Sequence, residues 1–312
     1  MPKVAVVQIP PVLLDRAATL ARAGDAIAEA ARSGAGLVVF PEAYVPGYPQ
    51  WIWRAQPRDA ALASAIHARL LANAVDLGGD DLAPLREAAR AHGVTVACGI
   101  HERDAEFGRA TLYNTFVIVG PDGAILNRHR KLVPTNAERM VWGQGDASGL
   151  RVVETPAGRI GGLICWENYM PLARFALYAQ GIEIYLAPTW DEGEGWVASM
   201  RHIAREARAW VVSGAACLQG RDIPADFPGR AALFPDEDEW FISGDAVVVD
   251  PMGAVVMGPA HRDRGIVYAA CDPARVAVAR RSLDVVGHYS RPDIFRLEVD
   301  RTPRRPATFK DE

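Results

Sequence analysis

The sequence contains 312 residues, of which 50% are hydrophobic and 23% are charged, and its formal net charge is −4 at pH 7 with histidine neutral. A chain of this length and composition can bury a large core. Its nearly balanced charge does not indicate the basic surface that binding nucleic acid requires. The cysteines have neither metal-type spacing nor a CxxC pair, and three of them sit in apolar runs, so neither a metal site nor a disulfide framework is expected. They are Cys98, Cys165, Cys217 and Cys271.

The N-terminus passes directly into an apolar strand pattern. It lacks the charged region, apolar stretch and small-residue cleavage site of a secretory signal. No apolar run approaches the roughly 18 residues that a membrane-spanning helix needs. With no sign of disulfide chemistry either, we expect a soluble cytoplasmic protein.

The first part of the chain alternates apolar strands with helical patterns. Strands are predicted at 3–9, 37–40 and 94–100, and helices at 15–32, 59–74 and 82–92. Asp15 can cap the first helix, and Asp80 and Asp81 are cap candidates for the third.

Hairpins then interrupt this alternation. The turn at 121–123 joins predicted strands at 111–119 and 124–131, and similar turns predict hairpins over 150–165 and 246–257. The remaining predicted strands lie at 183–187, 210–217 and 265–271, and the remaining helices at 172–180, 196–208 and 273–283. The stretch 221–239 is mixed in charge and is predicted to be an irregular, flexible excursion.

This succession of elements indicates an α/β fold in which two mixed sheets pack face to face with helices outside. No low-complexity linker divides the chain. We therefore predict a single domain over 1–299, followed by a polar tail over 300–312. Periodicity alone does not establish the order of four layers.

Cys165 is predicted to lie at a turn between an apolar strand and a helix that starts at Pro171. At such a turn, unpaired backbone N–H groups and the positive end of the helix dipole favour a thiolate and can stabilise a negative oxygen. Cys165 can therefore act as a nucleophile. The alternative is a small buried apolar side chain, as most free cysteines are.

Glu42 and Lys131 also fall at predicted strand ends, where ligand sites of α/β proteins gather. A cysteine nucleophile needs a proton acceptor, because an ordinary thiol is mostly protonated at neutral pH. Glu42 is the candidate base, and Lys131 can hold a developing negative charge together with the N–H of Trp166. Taken singly, Glu42 would be a cap or surface acid and Lys131 a solvated lysine. Only their combination with Cys165 favours catalysis.

Aromatic residues follow Glu42 in a loop at 44–53 that is also rich in proline and glycine. The loop predicts either a pocket wall for an apolar ligand or a surface loop with packed rings. Further aromatic candidates for the pocket wall, each with core packing as its alternative, are Trp142, Trp166, Tyr169 and Trp190.

Several motifs resemble those of the nitrilase superfamily, and in particular its nitrilase branch. The reactive residues lie in Phe40-Pro41-Glu42, His129-Arg130-Lys131-Leu132 and Cys165-Trp166-Glu167-Asn168-Tyr169-Met170-Pro171. The other motifs are Gly47-Tyr48-Pro49, Pro134-Thr135 with Glu138-Arg139, Tyr178-Ala179-Gln180-Gly181, Ala187-Pro188-Thr189 and Gly287-His288-Tyr289-Ser290-Arg291-Pro292-Asp293. The resemblance covers about 3–298. As a set these motifs are highly specific, although each tripeptide alone is weak.

The resemblance implies an αββα sandwich, with helices on both outer faces, that pairs into αββα–αββα dimers. It makes Cys165 the nucleophile, Glu42 the general base and Lys131 the charge stabiliser. It also makes Glu138 an additional carboxylate that orients Lys131 or the attacking water. The alternative role of Glu138 is a partner for Arg139 or a loop cap.

The activity that the resemblance implies is hydrolysis of an organic nitrile to a carboxylic acid and ammonia, through a thioimidate and a thioester on Cys165. No metal or organic cofactor is required. The expected partners are a small nitrile, water and further copies of the chain, as a homodimer or higher homo-oligomer, with neither nucleic acid nor membrane.

Other activities of the same superfamily stay open. The same residues serve an amidase or carbamoylase, or a cyanide-degrading member, and a non-catalytic scaffold on this fold is a further alternative. Aromatic, arylaliphatic and aliphatic nitriles are not distinguished. Many nitrilases have longer C-terminal tails associated with filaments, so the end of this sequence at Glu312 puts long filaments in doubt.

Overall fold

Hydrogen-bonded strands form two mixed β-sheets in the computed structural model, which describes residues 1–310 of the chain. The strands are β1 (Lys3–Val7), β2 (Ala35–Val39), β3 (Thr95–Arg103), β4 (Leu112–Val119), β5 (Ile125–Arg130), β6 (Val153–Thr155), β7 (Gly158–Gly162), β8 (Ile184–Pro188), β9 (Trp210–Gly214), β10 (Cys217–Gln219), β11 (Trp240–Val249), β12 (Val255–His261) and β13 (Ile266–Ala270). The α-helices are α1 (Arg16–Arg32), α2 (Ala60–Asn73), α3 (Ala83–His92), α4 (Pro171–Tyr178), α5 (Glu194–Ala207), α6 (Arg230–Leu233) and α7 (Ala274–Arg280).

Each sheet has a parallel centre with antiparallel strands beside it. The first has the order β13-β1-β2-β3-β4-β5, with β1, β2 and β3 parallel. The second has the order β10-β11-β9-β8-β7-β6, with β7, β8 and β9 parallel and β12 paired to β11. The predicted hairpins are present as β4–β5, β6–β7 and β11–β12. The prediction of an α/β fold with two mixed sheets is therefore confirmed.

The clusters of buried side chains establish the order of the layers, which the periodicity of the sequence did not. In β2, Leu37 and Val39 point into a cluster shared by both sheets, whereas Val38 points into a cluster shared with α1 and α3. Successive side chains of a strand face opposite sides of its sheet. A strand whose sheet is covered on both faces must therefore be apolar at every position. The helices α4 and α5 cover the second sheet in the same way. The order is helix, sheet, sheet, helix.

The first helix begins as predicted. Asp15 has an extended backbone, and its Oδ1 accepts a hydrogen bond of 2.9 Å from the N–H of Ala18. The third helix does not: it begins at Ala83 after Leu82, without a side-chain cap. The prediction that Asp80 or Asp81 caps it is wrong, because the carboxylate of Asp81 instead binds the N–H of Asp76 and pairs with Arg16.

The stretch 221–239 departs from the prediction of a flexible excursion. It contains α6, and its apolar side chains are buried in a cluster with the loop after β2. Those side chains are Ile223, Phe227, Leu233 and Phe234. Their burial holds the segment in place, although its charged residues gave it the composition of a surface loop.

The segment at 300–310 has neither helix nor strand and is almost wholly exposed. It touches the domain where the N–H of Arg304 donates to Asp146 over 2.8 Å. The last residues of the predicted tail, 311–312, lie outside the described residues. Within residues 1–310, no helix combines the length and apolar character that crossing a membrane requires.

Candidate active site

Glu42, Lys131 and Cys165 all lie just beyond strand ends. Glu42 follows β2 and Lys131 follows β5 in the first sheet, whereas Cys165 follows β7 in the second. All are buried, with at most 5% of the residue surface exposed. Residues far apart in the sequence are thus placed at the junction between the two sheets.

Lys131 connects two carboxyl groups at the centre of the site. Its Nζ lies 2.7 Å from Oε1 of Glu42 and 2.8 Å from Oε2 of Glu138. The alternative of a solvated strand-end lysine is wrong, because the Lys131 side chain has no exposed surface. A buried ammonium flanked in this way is held in one position by charge-assisted hydrogen bonds.

Glu138 does two things at once. Its Oε2 also accepts a 2.7 Å hydrogen bond from the N–H of Thr135, in a capping box of the short 3₁₀ helix Asn136–Met140. Arg139 does not pair with it, and donates instead to the carbonyl of Pro134. The structure therefore combines the cap with the contact to Lys131, and the backbone fixes where the carboxylate points.

The protonation of the site follows from burial and charge. Burial lowers the pKa of Lys131, but the charges of Glu42, Cys165 and Glu138 outweigh it and raise that pKa above its usual value. Burial raises the pKa of Glu42, and Lys131 only partly offsets it, so the net shift is upward from 4.5. Lys131 is thus a permanent cation, and Glu42 is a stronger base than an exposed glutamate.

Cys165 begins the 3₁₀ helix Cys165–Tyr169 with a backbone φ of 52°. Non-glycine residues seldom adopt this left-handed conformation, and many that do belong to functional sites. The hydroxyl of Thr189 lies 3.3 Å from Sγ and donates to it. The strained turn therefore places the sulfur near Glu42 and Lys131, whose charges both act on its pKa.

The prediction that this turn favours the thiolate is wrong for the resting site. Burial, followed by the charge of Glu42, raises the pKa of Cys165, and Lys131 and Thr189 only partly oppose them. The free energy that a buried thiolate loses with its hydration is larger than the stabilisation it gains from the helix end and the ammonium. Cys165 therefore rests as a thiol and needs a nearby base to ionise it.

Sequence reasoning missed polar residues that complete the site. Asn114, on β4, donates to Oε1 of Glu42 over 2.7 Å, and the hydroxyl of Tyr48 donates to Oε1 of Glu138 over 2.8 Å. The other Glu42 oxygen, Oε2, has no hydrogen-bond partner among the described residues. It is the oxygen left free to accept a proton. The signal for Asn114 was an amide inside a strand that is otherwise mostly apolar or aromatic.

Two of the aromatic candidates lie next to the carboxylates. Trp190 stacks on Tyr48 with ring centroids 4.4 Å apart, and Trp142 meets Tyr48 edge-on at 5.8 Å. Trp142 is buried and donates through Nε1 to His101, whereas Trp190 donates to Gln50. These rings build a rigid wall behind Glu138, and their contact with substrate stays a prediction.

The other two candidates lie near the surface. Trp166 and Tyr169, on the short helix that starts at Cys165, are 47% and 48% exposed. They meet edge to face at 6.1 Å, and Nε1 of Trp166 donates to Asp191. They are not core residues, and their place in a pocket wall also stays a prediction. Within residues 1–310, no group of three or more His, Cys, Asp and Glu side chains is arranged to hold a metal ion.

A buried cysteine beside a carboxylate and a fixed ammonium is the arrangement that a class of enzymes uses to attack an electrophilic carbon. The carbon-nitrogen hydrolase family model matches residues 3–281. The chain belongs to the carbon-nitrogen hydrolase family.

Curated relatives align over nearly the whole chain. An aliphatic nitrilase of Sinorhizobium fredii (strain HH103) is 41% identical, covering 97% of this chain and 96% of its own. Nitrilase 3 of Arabidopsis thaliana is 41% identical over 98% and 89%, respectively. A bifunctional nitrilase/nitrile hydratase of Lupinus angustifolius is 41% identical over 97% and 87%.

Solved structures share the fold. A carbon-nitrogen hydrolase from Helicobacter pylori G27 superposes with a TM-score of 0.71 at 19% identity, covering 94% of this chain and 96% of its own. The NitFhit protein of C. elegans gives a TM-score of 0.73 at 21% identity, covering 99% of this chain and 69% of its own. The predicted recognition of the family is confirmed, and the sandwich fold with it.

Proposed function

We propose that this protein is a nitrilase that hydrolyses an organic nitrile to a carboxylic acid and ammonia. The observation that carries the proposal is the buried combination of Cys165, Glu42 and Lys131 in a chain about 40% identical to curated nitrilases over nearly its full length. No nucleic acid or membrane takes part in this reaction, and we propose that it takes place in the cytoplasm.

The first half of the reaction forms a carbon–sulfur bond. Glu42 takes the proton of the Cys165 thiol as the sulfur adds to the nitrile carbon, and the nitrogen takes up a proton to give a thioimidate. Lys131 stabilises the negative charge that develops on the substrate. The raised pKa of Glu42 suits it to accept a proton here and to return it to the nitrogen.

Two waters complete the reaction. The first adds to the thioimidate carbon, and ammonia leaves to give a thioester. The second water, deprotonated by Glu42, releases the carboxylic acid and restores the thiol. Glu138 holds Lys131 in place through these steps, and its neighbouring aromatic wall is the proposed surface for the substrate side chain.

The proposal is tested by supplying benzonitrile, an aliphatic nitrile and benzamide in parallel and measuring ammonia. A nitrilase releases ammonia and acid from a nitrile, and Cys165→Ala abolishes the release while circular dichroism remains that of the parent. Turnover of benzamide alone would establish the amidase or carbamoylase alternative. If no nitrile or amide releases ammonia or gives a covalent adduct on Cys165 by intact mass, the non-catalytic scaffold is supported.

A second product is favoured by one observation: relatives about 40% identical carry the name bifunctional nitrilase/nitrile hydratase. If the tetrahedral intermediate expels the Cys165 sulfur instead of ammonia, the product is an amide. Chromatographic separation of acid from amide in the same assay measures this partition. An ammonia yield equal to the nitrile consumed would exclude it.

A further inference from the structure

Glu167, two positions after the nucleophile, is a buried carboxylate to which the mechanism above gives no role. Its side chain has no exposed surface, and it lies against the equally buried His129 with 3.0 Å between Nε2 and Oε2. Oε1 of Glu167 is 3.2 Å from the same nitrogen. A buried carboxylate is costly unless hydrogen bonds satisfy both of its oxygens.

The remaining partners of Glu167 are backbone groups next to the reactive residues. Its Oε1 accepts a 2.6 Å hydrogen bond from the N–H of Leu132, the residue after Lys131. Its Oε2 accepts a 2.8 Å hydrogen bond from the N–H of Ile164, the residue before Cys165. One carboxylate therefore holds both chain segments that carry the nucleophile and the ammonium.

These segments belong to different sheets. Lys131 follows β5, at the edge of the first sheet, and Cys165 follows β7 in the second. No strand pairing joins β5 to β7, so their separation is not set by a ladder of backbone hydrogen bonds. His129 extends from the same side of β5 as Lys131, since the two are two positions apart on an extended chain. Glu167 thus bridges the sheets through a side chain at the point where the chemistry takes place.

We propose that the Glu167 carboxylate, held by His129, is a positioning residue that sets the distance between the Lys131 ammonium and the Cys165 sulfur. This inference rests on the proposed function only in the sense that the distance matters for attack on a nitrile. Displacements of about 1 Å in such groups can cost on the order of 100-fold in rate. In this role the bridge acts through the backbone N–H groups of Leu132 and Ile164 rather than by binding the substrate.

The charge state of Glu167 fits this role. Burial raises its pKa, but His129 and the N–H groups of Ile164 and Leu132 outweigh burial and lower it below 4.5. The carboxylate is therefore ionised at neutral pH, and both of its oxygens accept hydrogen bonds. An amide has one accepting oxygen and one donating nitrogen, so glutamine must leave one of the two backbone N–H groups facing another donor.

The test is the rate at which iodoacetamide alkylates Cys165, measured by peptide mass from pH 6 to pH 10 on the full chain. Because Lys131 lowers the pKa of Cys165, a more distant ammonium slows alkylation at a given pH. In both Glu167→Gln and Glu167→Asp we expect the pH profile of the alkylation rate to move to higher pH by about one unit. The rate at pH 8 is then roughly tenfold lower than in the parent. With a nitrile, kcat should fall by on the order of 100-fold while KM changes little.

A matched control separates positioning from stability. Glu102 is another buried carboxylate, which binds Arg128 and Arg130 and touches neither Leu132 nor Ile164. Glu102→Gln disturbs the same strand β5, so it is expected to lower the melting temperature and leave the alkylation profile unchanged.

The inference is overturned if the Glu167 variants melt earlier but alkylate with the wild-type pH profile, because the bridge would then be structural only. Alkylation needs no nitrile, so this outcome is independent of the proposed function. A wild-type protein that alkylates normally and hydrolyses no nitrile refutes the proposed function and leaves the positioning role standing.

Discussion

At the scale of single residues, the site depends on the compact charge of Lys131. The Lys131 ammonium lies 2.7 Å and 2.8 Å from two carboxylate oxygens. An arginine guanidinium does not fit in its place, because this planar group is larger and points its N–H donors in other directions. Lys131→Arg is therefore expected to lower kcat/KM by at least about 1,000-fold, or 4 kcal/mol. Steady-state kinetics with the best nitrile check this, and near-normal rates in a folded variant would remove Lys131 from the mechanism.

The hydroxyl of Tyr48 is the next testable group, since it holds the oxygen of Glu138 that Lys131 does not bind. Burial raises the pKa of Tyr48 well above 10, so the phenol remains a donor at every working pH. Tyr48→Phe leaves the stacking with Trp190 but removes this hydrogen bond, and should lower kcat by about tenfold.

A matched control exists in Tyr44, whose hydroxyl is buried without a hydrogen-bond partner among the described residues. Tyr44→Phe should leave kcat unchanged. Equal kinetics in both phenylalanine variants would mean that Glu138 needs no support from Tyr48.

The pH dependence of activity follows from Glu42. The base must be ionised to accept the thiol proton, and burial raises its pKa above 4.5. As pH falls through that raised value Glu42 binds a proton, so kcat/KM should fall on an acid limb that lies above pH 4.5.

Substitution of Asn114 provides a second test of whether Glu42 is the group responsible for the acid limb. Its amide stabilises the charged form of Glu42 and lowers the pKa. Asn114→Ala should therefore move the acid limb to higher pH. An acid limb below pH 4.5, or one that moves down in the variant, would show that another group is the base.

At the scale of elements, the segment that carries Glu42 lies directly against β3. The carbonyl of Pro41 accepts from the N–H of Gly99, and a Cβ at position 99 would lie 2.4 Å from that oxygen and from the nitrogen of Ala43. Only glycine allows this approach. Gly99→Ala should cost about 1–3 kcal/mol of stability and on the order of 100-fold in kcat/KM, because the backbone of Glu42 must move.

Gly36, on β2, is the matched control for this substitution because a Cβ there meets no atom within 4 Å. Gly36→Ala should leave both the urea midpoint and kcat/KM near the parent values. If Gly99→Ala behaves in the same way, the close packing does not position Glu42.

What the sequence could predict at this scale was local. Strand ends, turns and the cap at Asp15 follow from neighbouring residues, and the motifs around Glu42, Lys131 and Cys165 are contiguous. Partners across the fold were not predictable, because nothing near Asn114 in the chain indicates that it faces Glu42. The upward shift of the Cys165 pKa was missed for the same reason, because it depends on how completely tertiary packing excludes water.

At the scale of the whole molecule, an apolar surface lies beside α4. Leu172, Tyr289 and Phe295 are 68%, 71% and 77% exposed and line one groove. We propose that a second copy of the chain covers it, because patches of this kind mark interaction surfaces; the family resemblance implied a dimer without naming the surface. Light scattering after gel filtration should give a homodimer or a higher homo-oligomer.

Two variants decide whether this surface is the interface. Leu172→Glu buries a charge at such an interface and should produce monomers. Phe309→Glu, in the exposed tail at 82% exposure, should leave the assembly intact. A monomeric wild-type protein, or a Leu172→Glu variant of unchanged mass, contradicts the proposal.

The two carboxyl groups around the single Lys131 ammonium have one further consequence. When both carboxyl groups are ionised, this cluster carries a net negative charge. An acid product that ionises as it forms is repelled by these carboxylates and attracted by the Lys131 ammonium between them. Burial and the charge of Glu42, which keep the sulfur protonated between turnovers, also disfavour an anionic group beside them, so the site is expected to prefer uncharged nitriles to anionic ones.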